Sequence, residues 1–79
     1  MNENDIARYV RKAMAEYFKD LDGEEPSCAV YDMVIHCVGK PLIETVLHHT
    51  SGNQTRAAEL LGLNRNTLRK KIQTHGIKN

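Results

Sequence analysis

Apolar residues recur at helical spacing along most of this chain, which predicts an all-α fold of four helices. Asn4 or Asp5 is expected to cap the first helix, which runs from about Asp5 to Leu21. The polar connector 23–26, which contains a glycine and a proline, should end it. The apolar positions of this first helix are Ile6, Val10, Ala13, Met14, Tyr17, Phe18 and Leu21.

A second helical pattern begins at Ser27 and continues to about Thr50, with Pro41 in its middle. A proline cannot donate a hydrogen bond to the carbonyl of Cys37, so the helix must either bend or stop there. Because the helical pattern resumes directly after the proline, we predict one long helix that is kinked at Pro41. Gly52 is expected to form its C-terminal cap.

Within this second helix, residues 28–38 are apolar at nearly every position, whereas a surface helix has a single apolar stripe. A chain of 79 residues has too few other helices to cover such a segment on all sides. The pattern therefore predicts an intertwined homodimer built on the first two helices, although a central helix of a small bundle remains an alternative. The expected interface residues are Tyr31, Val34, Ile35 and Val38.

The last third of the chain, residues 53–75, has the pattern of a helix-turn-helix. Asn53 and Asn64 each stand before a short helical pattern as N-caps. Ala58 is small where two crossing helices approach closely, and Gly62 can adopt the positive φ of a tight turn. The apolar stripes are Ala57, Ala58 and Leu61 in the first helix, and Leu68 and Ile72 in the second. This pattern is typical of double-stranded DNA binding.

Charge is distributed unevenly along the chain, although its formal net charge is only +1. Residues 1–50 hold 5 Lys/Arg and 9 Asp/Glu, a net −4, whereas residues 51–79 hold 6 and 1, a net +5. The basic end is expected to meet phosphate groups, and the acidic end to face away from them.

The recognition helix should expose Asn66, Lys70 and Gln73 opposite its buried stripe. Arg65 lies nearer the buried side, but its position in the first turn suits two hydrogen bonds to guanine. Lys70 and Lys71 suit phosphate contacts, and the start of the preceding helix can seat another phosphate. The predicted DNA-binding residues are Asn53, Thr55, Arg56, Asn64, Arg65, Asn66, Thr67, Arg69, Lys70 and Lys71.

Other functions find little support in the sequence. No apolar run reaches the roughly 18 residues of a membrane span, and no secretory leader is evident. Cys28 and Cys37 suit reduced, buried thiols of a cytoplasmic protein, and the histidines lack the spacing of a zinc site. No activated nucleophile or phosphate-binding loop is present, so we expect a single domain over residues 1–79, with neither enzymatic activity, cofactor nor metal.

Over nearly its whole length the chain resembles the Fis family of nucleoid-associated DNA-bending proteins. The residues that carry the resemblance are Gly52 to Ala58, Gly62, Asn64, Arg65, Thr67 to Lys71, the Tyr17-Phe18 pair, Tyr31 and the Pro41-Leu42 pair. The resemblance implies a homodimer in the bacterial nucleoid whose helix-turn-helix residues line the DNA face. It also implies that bound DNA bends and that its uncontacted central A·T-rich steps influence affinity.

Three departures from the family pattern limit what the resemblance implies. Gln73 and Thr74 stand where familiar members have lysines, and Asn66 stands where they have glycine. Only about four residues precede the first predicted helix, so we expect no N-terminal arm and no contact with recombinases. Two alternatives remain open: a DNA-binding domain of an enhancer-binding transcriptional activator, and a helix-turn-helix module that contacts only protein.

Overall fold

The computed structural model describes residues 2–78, apart from the side chain of Glu3, and these residues form four α-helices and no strand. The helices are α1 (Glu3–Leu21), α2 (Val30–His49), α3 (Gln54–Leu61) and α4 (Arg65–His75). The predicted all-α fold is therefore confirmed.

The start of α1 differs from the prediction. Asn2, rather than Asn4 or Asp5, is the N-cap, and its side chain accepts a hydrogen bond from the backbone N–H of Asp5 at 3.1 Å. Three residues that favour N-caps stand within four positions here, so capping preference alone could not select among them. Asp22 ends α1 in the left-handed conformation, and its N–H donates to the carbonyl of Lys19.

Helix α2 is continuous through Pro41 and ends close to Thr50, as predicted, but its start and its C-cap residue were predicted wrongly. It begins at Val30 rather than Ser27, because the first bond of the new helix runs from the N–H of Met33 to the carbonyl of Ala29. It ends at His49 with Thr50, not Gly52, as the C-cap. The kink at Pro41 stays a prediction.

The turn from α2 to α3, residues 50–52, is held by several hydrogen bonds. The Thr50 hydroxyl lies 3.1 Å from the carbonyl oxygens of both Leu47 and Asn53. Gly52, at a φ of 84°, donates its N–H to the Leu47 carbonyl at 2.8 Å. Because these bonds join the end of one helix to the start of the next, the orientation of α3 on α2 is fixed locally.

The hydrophobic core lies where α3 and α4 pack on the C-terminal half of α2. Its partly buried neighbours are Val46, Leu61 and Leu63. The buried core residues are Ile43 and Leu47 of α2, Ala57 and Ala58 of α3, Leu68 and Ile72 of α4, and Ile77 beyond α4. The core therefore belongs to the helix-turn-helix and to the half of α2 that carries it.

The N-terminal half of the molecule has no comparable core. Helix α1 brings no Cα atom within 8 Å of a Cα atom in the other three helices, and none of its described side chains is buried. An apolar groove of about 390 Å³ separates α1 from α2, with Tyr9, Val10 and Met14 on one side and Val34 and Val38 on the other. The apolar faces of α1 and of the N-terminal half of α2 are thus only partly covered within a single chain.

The cysteines belong to this open half. Both thiols are free, as predicted, but Cys28 and Cys37 are exposed rather than buried. The Tyr17 phenol lies beside Cys28, and its pKa is raised by desolvation and then by the charge and hydrogen bonding of that thiol.

Candidate nucleic-acid interface

Helix α3 is positioned by its cap and by two buried alanines. The Asn53 side-chain oxygen accepts the N–H of Arg56 at 3.0 Å, which confirms the predicted N-cap. Ala57 and Ala58 are fully or almost fully buried, so no larger side chain separates α3 from the helices it crosses. The close packing turns the start of α3, with Thr55 and Arg56, toward solvent.

The turn between α3 and α4 follows the helix-turn-helix pattern closely. Gly62 has a φ of 73° and donates its N–H to the carbonyls of Ala58 and Glu59. Leu63 then donates to the Ala58 carbonyl at 2.9 Å and packs its partly buried side chain against the core. Asn64 begins the next helix as N-cap, with its side-chain oxygen 2.8 Å from the N–H of Asn66. Each of these local predictions is confirmed.

Helix α4 has one buried stripe and one polar face. Leu68 and Ile72 are buried in the core, as predicted. The opposite face carries a shallow depression of about 360 Å³ that is lined by Asn66, Arg69, Lys70 and Gln73. All of its lining groups can form hydrogen bonds, and two carry a positive charge. Gln73 was not among the predicted site residues, although the helical period that selected Asn66 and Lys70 also selects it.

All ten predicted DNA-binding residues have exposed side chains. They are Asn53, Thr55, Arg56, Asn64, Arg65, Asn66, Thr67, Arg69, Lys70 and Lys71. The two capping asparagines use their amide oxygens within the protein, which leaves their amide N–H groups as outward donors. Donors of this kind, placed at the starts of two helices, suit an anionic partner such as phosphate.

Two of the basic residues have neighbours that the sequence did not indicate. Arg56 donates a hydrogen bond from Nη1 to Oε2 of Glu59 at 3.0 Å, one turn further along α3. Lys71 lies on the flank of α4 that faces α2, where it lines a cavity together with His36 and His75. The structure therefore places Arg69 and Lys70 on the outer face of α4, and Lys71 at its edge.

His75, at the end of α4, was also missed by the sequence analysis. Its ring packs against His36 of α2 with the ring centroids 4.5 Å apart, and its Nδ1 atom is buried without a hydrogen-bond partner. Desolvation and then the nearby positive groups lower the pKa of His75 below its ordinary value. Only the three-dimensional packing reveals this pair, because the two histidines are far apart in the sequence.

Neither a metal centre nor a membrane span is evident in the part of the chain that the structure describes. Residues 2–78 contain no group of three or more His, Cys, Asp or Glu side chains that could hold a metal ion. None of the four described helices combines the length and the hydropathy that crossing a bilayer requires.

The fold and this surface define the class of protein: a helix-turn-helix with an exposed basic recognition helix is a DNA-binding arrangement. Comparison with known proteins gives the family. Residues 38–75 match the Fis family of bacterial regulatory proteins. The chain is 53% identical over 77 residues to a Fis-like DNA-binding protein of Ralstonia nicotianae, covering 98% of this chain and 99% of the relative.

Two further relatives agree. Fis-like DNA-binding proteins of Neisseria meningitidis serogroups A and B are each 55% identical over 73 residues, which cover 92% of this chain and 91% of each relative. The chain therefore belongs to the Fis family of helix-turn-helix DNA-binding proteins, which is not a family of enzymes.

Proposed function

We propose that this protein acts as a homodimer that binds and bends double-stranded DNA with little sequence selectivity, as a nucleoid-associated regulator of transcription. One observation carries the proposal: the molecule has two unlike halves. The C-terminal half has a closed core and an exposed basic face, whereas the apolar side chains that the structure describes before Ile43 are at most partly buried.

The amount of exposed surface supports a dimer. The chain exposes 6513 Å², whereas a compact monomer of this size would expose roughly 4,900 Å². The excess is about 1,600 Å² per chain, which falls in the range that an obligate homodimer buries per subunit. The Cα radius of gyration of 15.0 Å agrees, since a compact chain of this length would have a radius of about 12 Å.

The expected dimer residues support the same arrangement. Tyr31 is 76% exposed, Ile35 51% and Val38 41%, although all three are large apolar side chains. Val34 lines the groove between α1 and α2, where an apolar helix of a second copy could pack. A two-fold dimer formed through these faces would carry two recognition helices for two half-sites on DNA.

Each recognition helix is proposed to enter a major groove with its N-terminus first. Arg65 then reads guanine through two hydrogen bonds, and Asn66 lies beside it on the outer face. Lys70 and Lys71 contact phosphates, which add affinity without sequence information. Asn53, Thr55 and Arg56, at the start of α3, contact the phosphate backbone on the other side of the groove.

Bending is proposed because each helix-turn-helix, α3 and α4, is attached rigidly to the dimer core. We call these two units of the dimer the reading heads. The bonds of the turn 50–52 leave little freedom between α2 and α3, and the core joins α4 to the same part of α2. Two heads held in this way cannot change their separation, so any difference from the groove spacing of straight DNA must be met by deformation of the duplex.

An experiment on the intact chain tests this function. Analytical sedimentation should give a dimer at micromolar concentration, and titration of a duplex of roughly 30 base pairs should saturate at two chains per duplex. Retardation of that duplex should weaken steeply as salt rises above about 100 mM. A folded monomer that binds one chain per site would refute the dimer, and a chain that retards no duplex would be a protein-only module.

A further inference from the structure

The end of α4 packs on α2 at a glycine, where a side chain on α2 would crowd it. A Cβ atom at Gly39 of α2 would lie 3.1 Å from Nε2 and 3.3 Å from Cε1 of His75. The same imidazole ring packs at a tilt of 33° against the ring of His36, one helical turn before Gly39. We call this contact of His36, Gly39 and His75 the histidine joint. It connects α4 to α2 outside the apolar core.

The joint suits a neutral imidazole ring at His75. His75 Nδ1 is buried and accepts or donates no hydrogen bond, so a proton there would carry charge into a site without a partner. The cavity beside it, of about 410 Å³, is closed on the side of α3 by apolar Leu61 and Leu63. The titratable and charged groups that face the joint are Asp32, His36, Lys40 and Glu44 on α2, and Lys71 on α4.

The balance of these groups opposes protonation. The pKa of His75 lies below its ordinary value of 6.5, first because packing removes water and then because His36, Lys71 and Lys40 repel a proton. Glu44 acts in the opposite direction but does not compensate. A proton added to His75 would enter a ring whose centroid is 4.5 Å from that of His36, the first of the neighbours that repel it.

We infer that the histidine joint is a positioning device that makes DNA binding depend on pH, because protonation of His75 separates the end of α4 from α2. This inference rests on the proposed DNA-binding dimer. The joint fixes the orientation of each recognition helix α4 on α2. It thereby fixes the distance between the two reading heads of the dimer. An open joint lets α4 tilt, so fewer of the DNA contacts can form at the same time.

The direction of the effect follows from linkage. Since the pKa of His75 is lower in the folded chain, the unfolded chain binds more protons between that value and 6.5. The stabilising contribution of the joint is therefore complete above pH 6.5 and is lost as the pH falls through this window. The joint should therefore lose its stabilising contribution in acid and keep it in alkali.

The test compares DNA affinity at about pH 7.5 and about pH 5.5, on the two sides of the ordinary histidine pKa. Affinity of the intact chain should fall about fivefold or more in acid, the lower end of typical coupling between linked sites. His75→Phe keeps an aromatic ring in the joint but cannot titrate, and His36→Phe removes the repelling neighbour. Both variants should bind at neutral pH. His75→Phe should lose most of the acid effect, whereas His36→Phe should lose only the part that repulsion by His36 contributes.

A matched control separates the joint from general histidine charge. His48→Gln and His49→Gln remove exposed histidines elsewhere on α2 and should leave the acid effect in place. In urea unfolding over the same pH range, the free energy of unfolding of the intact chain should also fall in acid. That of His75→Phe should fall less.

Two results would overturn the inference. One is equal or tighter binding in acid by the intact chain, and the other is an undiminished acid effect in both phenylalanine variants. Absence of binding at neutral pH would instead remove the proposed function, and this inference with it.

Discussion

Arg56 binds Glu59 in the free protein, with Nη1 of the guanidinium 3.0 Å from Oε2 of the carboxylate. Both side chains are about 60% exposed and lie one turn apart on α3. Glu59 is the single acidic residue of the basic segment 51–79. Arg56, which is predicted to contact phosphate, is therefore paired with a carboxylate that DNA would have to displace. The Glu59 carboxylate also repels the phosphates.

Replacing Glu59 with glutamine should therefore strengthen DNA binding. The variant frees Arg56 and removes one negative charge from the proposed interface, while exposed ion pairs of this kind contribute only about 0.2–1 kcal/mol. We expect an affinity gain of about two- to fivefold with little change in the free energy of unfolding. Fluorescence anisotropy titration at fixed salt would measure it.

Glu16→Gln provides the control for that prediction. It makes the same charge change on α1, away from the helix-turn-helix, where salt screens the charge over about 10 Å. Its affinity should stay close to that of the unchanged chain. Equal gains in the two variants would mean that net charge, and not the release of Arg56, determines affinity.

A second prediction separates base reading from phosphate binding on α4. Arg65→Ala should cost about 1–3 kcal/mol on a preferred site and relax the preference at one base pair in each half-site. Lys70→Ala should weaken all sequences alike and lower the salt slope by about 1 per half-site. Titrations of a preferred and a random duplex at several salt concentrations distinguish the two. If Arg65→Ala loses the same affinity on both duplexes, Arg65 contacts the backbone.

A third prediction concerns the dimer. Val34→Asp places a charge in the apolar groove between α1 and α2, and Ile35→Asp places one on the exposed apolar flank of α2. A carboxylate that must be desolvated without a partner costs several kcal/mol, so each variant should lose both the dimer and most of its helical signal. Thr45→Asp, at an exposed position of the same helix, should stay dimeric. Circular dichroism and sedimentation would check both properties.

The helix-turn-helix could be predicted from the sequence almost to the residue, because its signals are local. Asn53 and Asn64 cap their helices, and Gly62 adopts the positive φ that its position requires. Each of these features depends on hydrogen bonds among residues that are two to five positions apart. Capping preference failed at α1, where Asn2, Asn4 and Asp5 compete, and at the end of α2, where Thr50 rather than Gly52 is the C-cap.

Long-range contacts were harder to predict. The pairing of His36 with His75 depends on how α4 crosses α2, and no local pattern encodes that crossing. The burial predicted for Cys28 and Cys37 also failed within the chain, since apolar periodicity states that a face needs a partner but not where the partner lies. The sequence therefore predicted the helix-turn-helix well, whereas for the N-terminal half it predicted only that the apolar faces need a partner.

A last prediction is that the protein bends its DNA and discriminates among sequences that it does not touch. The hydroxyl of Thr50 lies near two carbonyls on either side of the turn, and Gly52 is bonded back to Leu47. Because this attachment is rigid, the DNA rather than the protein must deform when two reading heads bind one duplex. Bending a site of 20–30 base pairs by 40–90° costs on the order of 1–6 kcal/mol, depending on the base steps that deform.

The central steps of the site should therefore influence affinity without any contact. Replacing a central A·T tract with G·C, while both half-sites stay unchanged, should weaken binding measurably, because a G·C centre resists compression of its minor groove. The mobility of bound fragments should also vary with the position of the site in a circular-permutation series. Mobility that is the same at every position, together with equal affinity for both centres, would mean that the dimer accepts straight DNA.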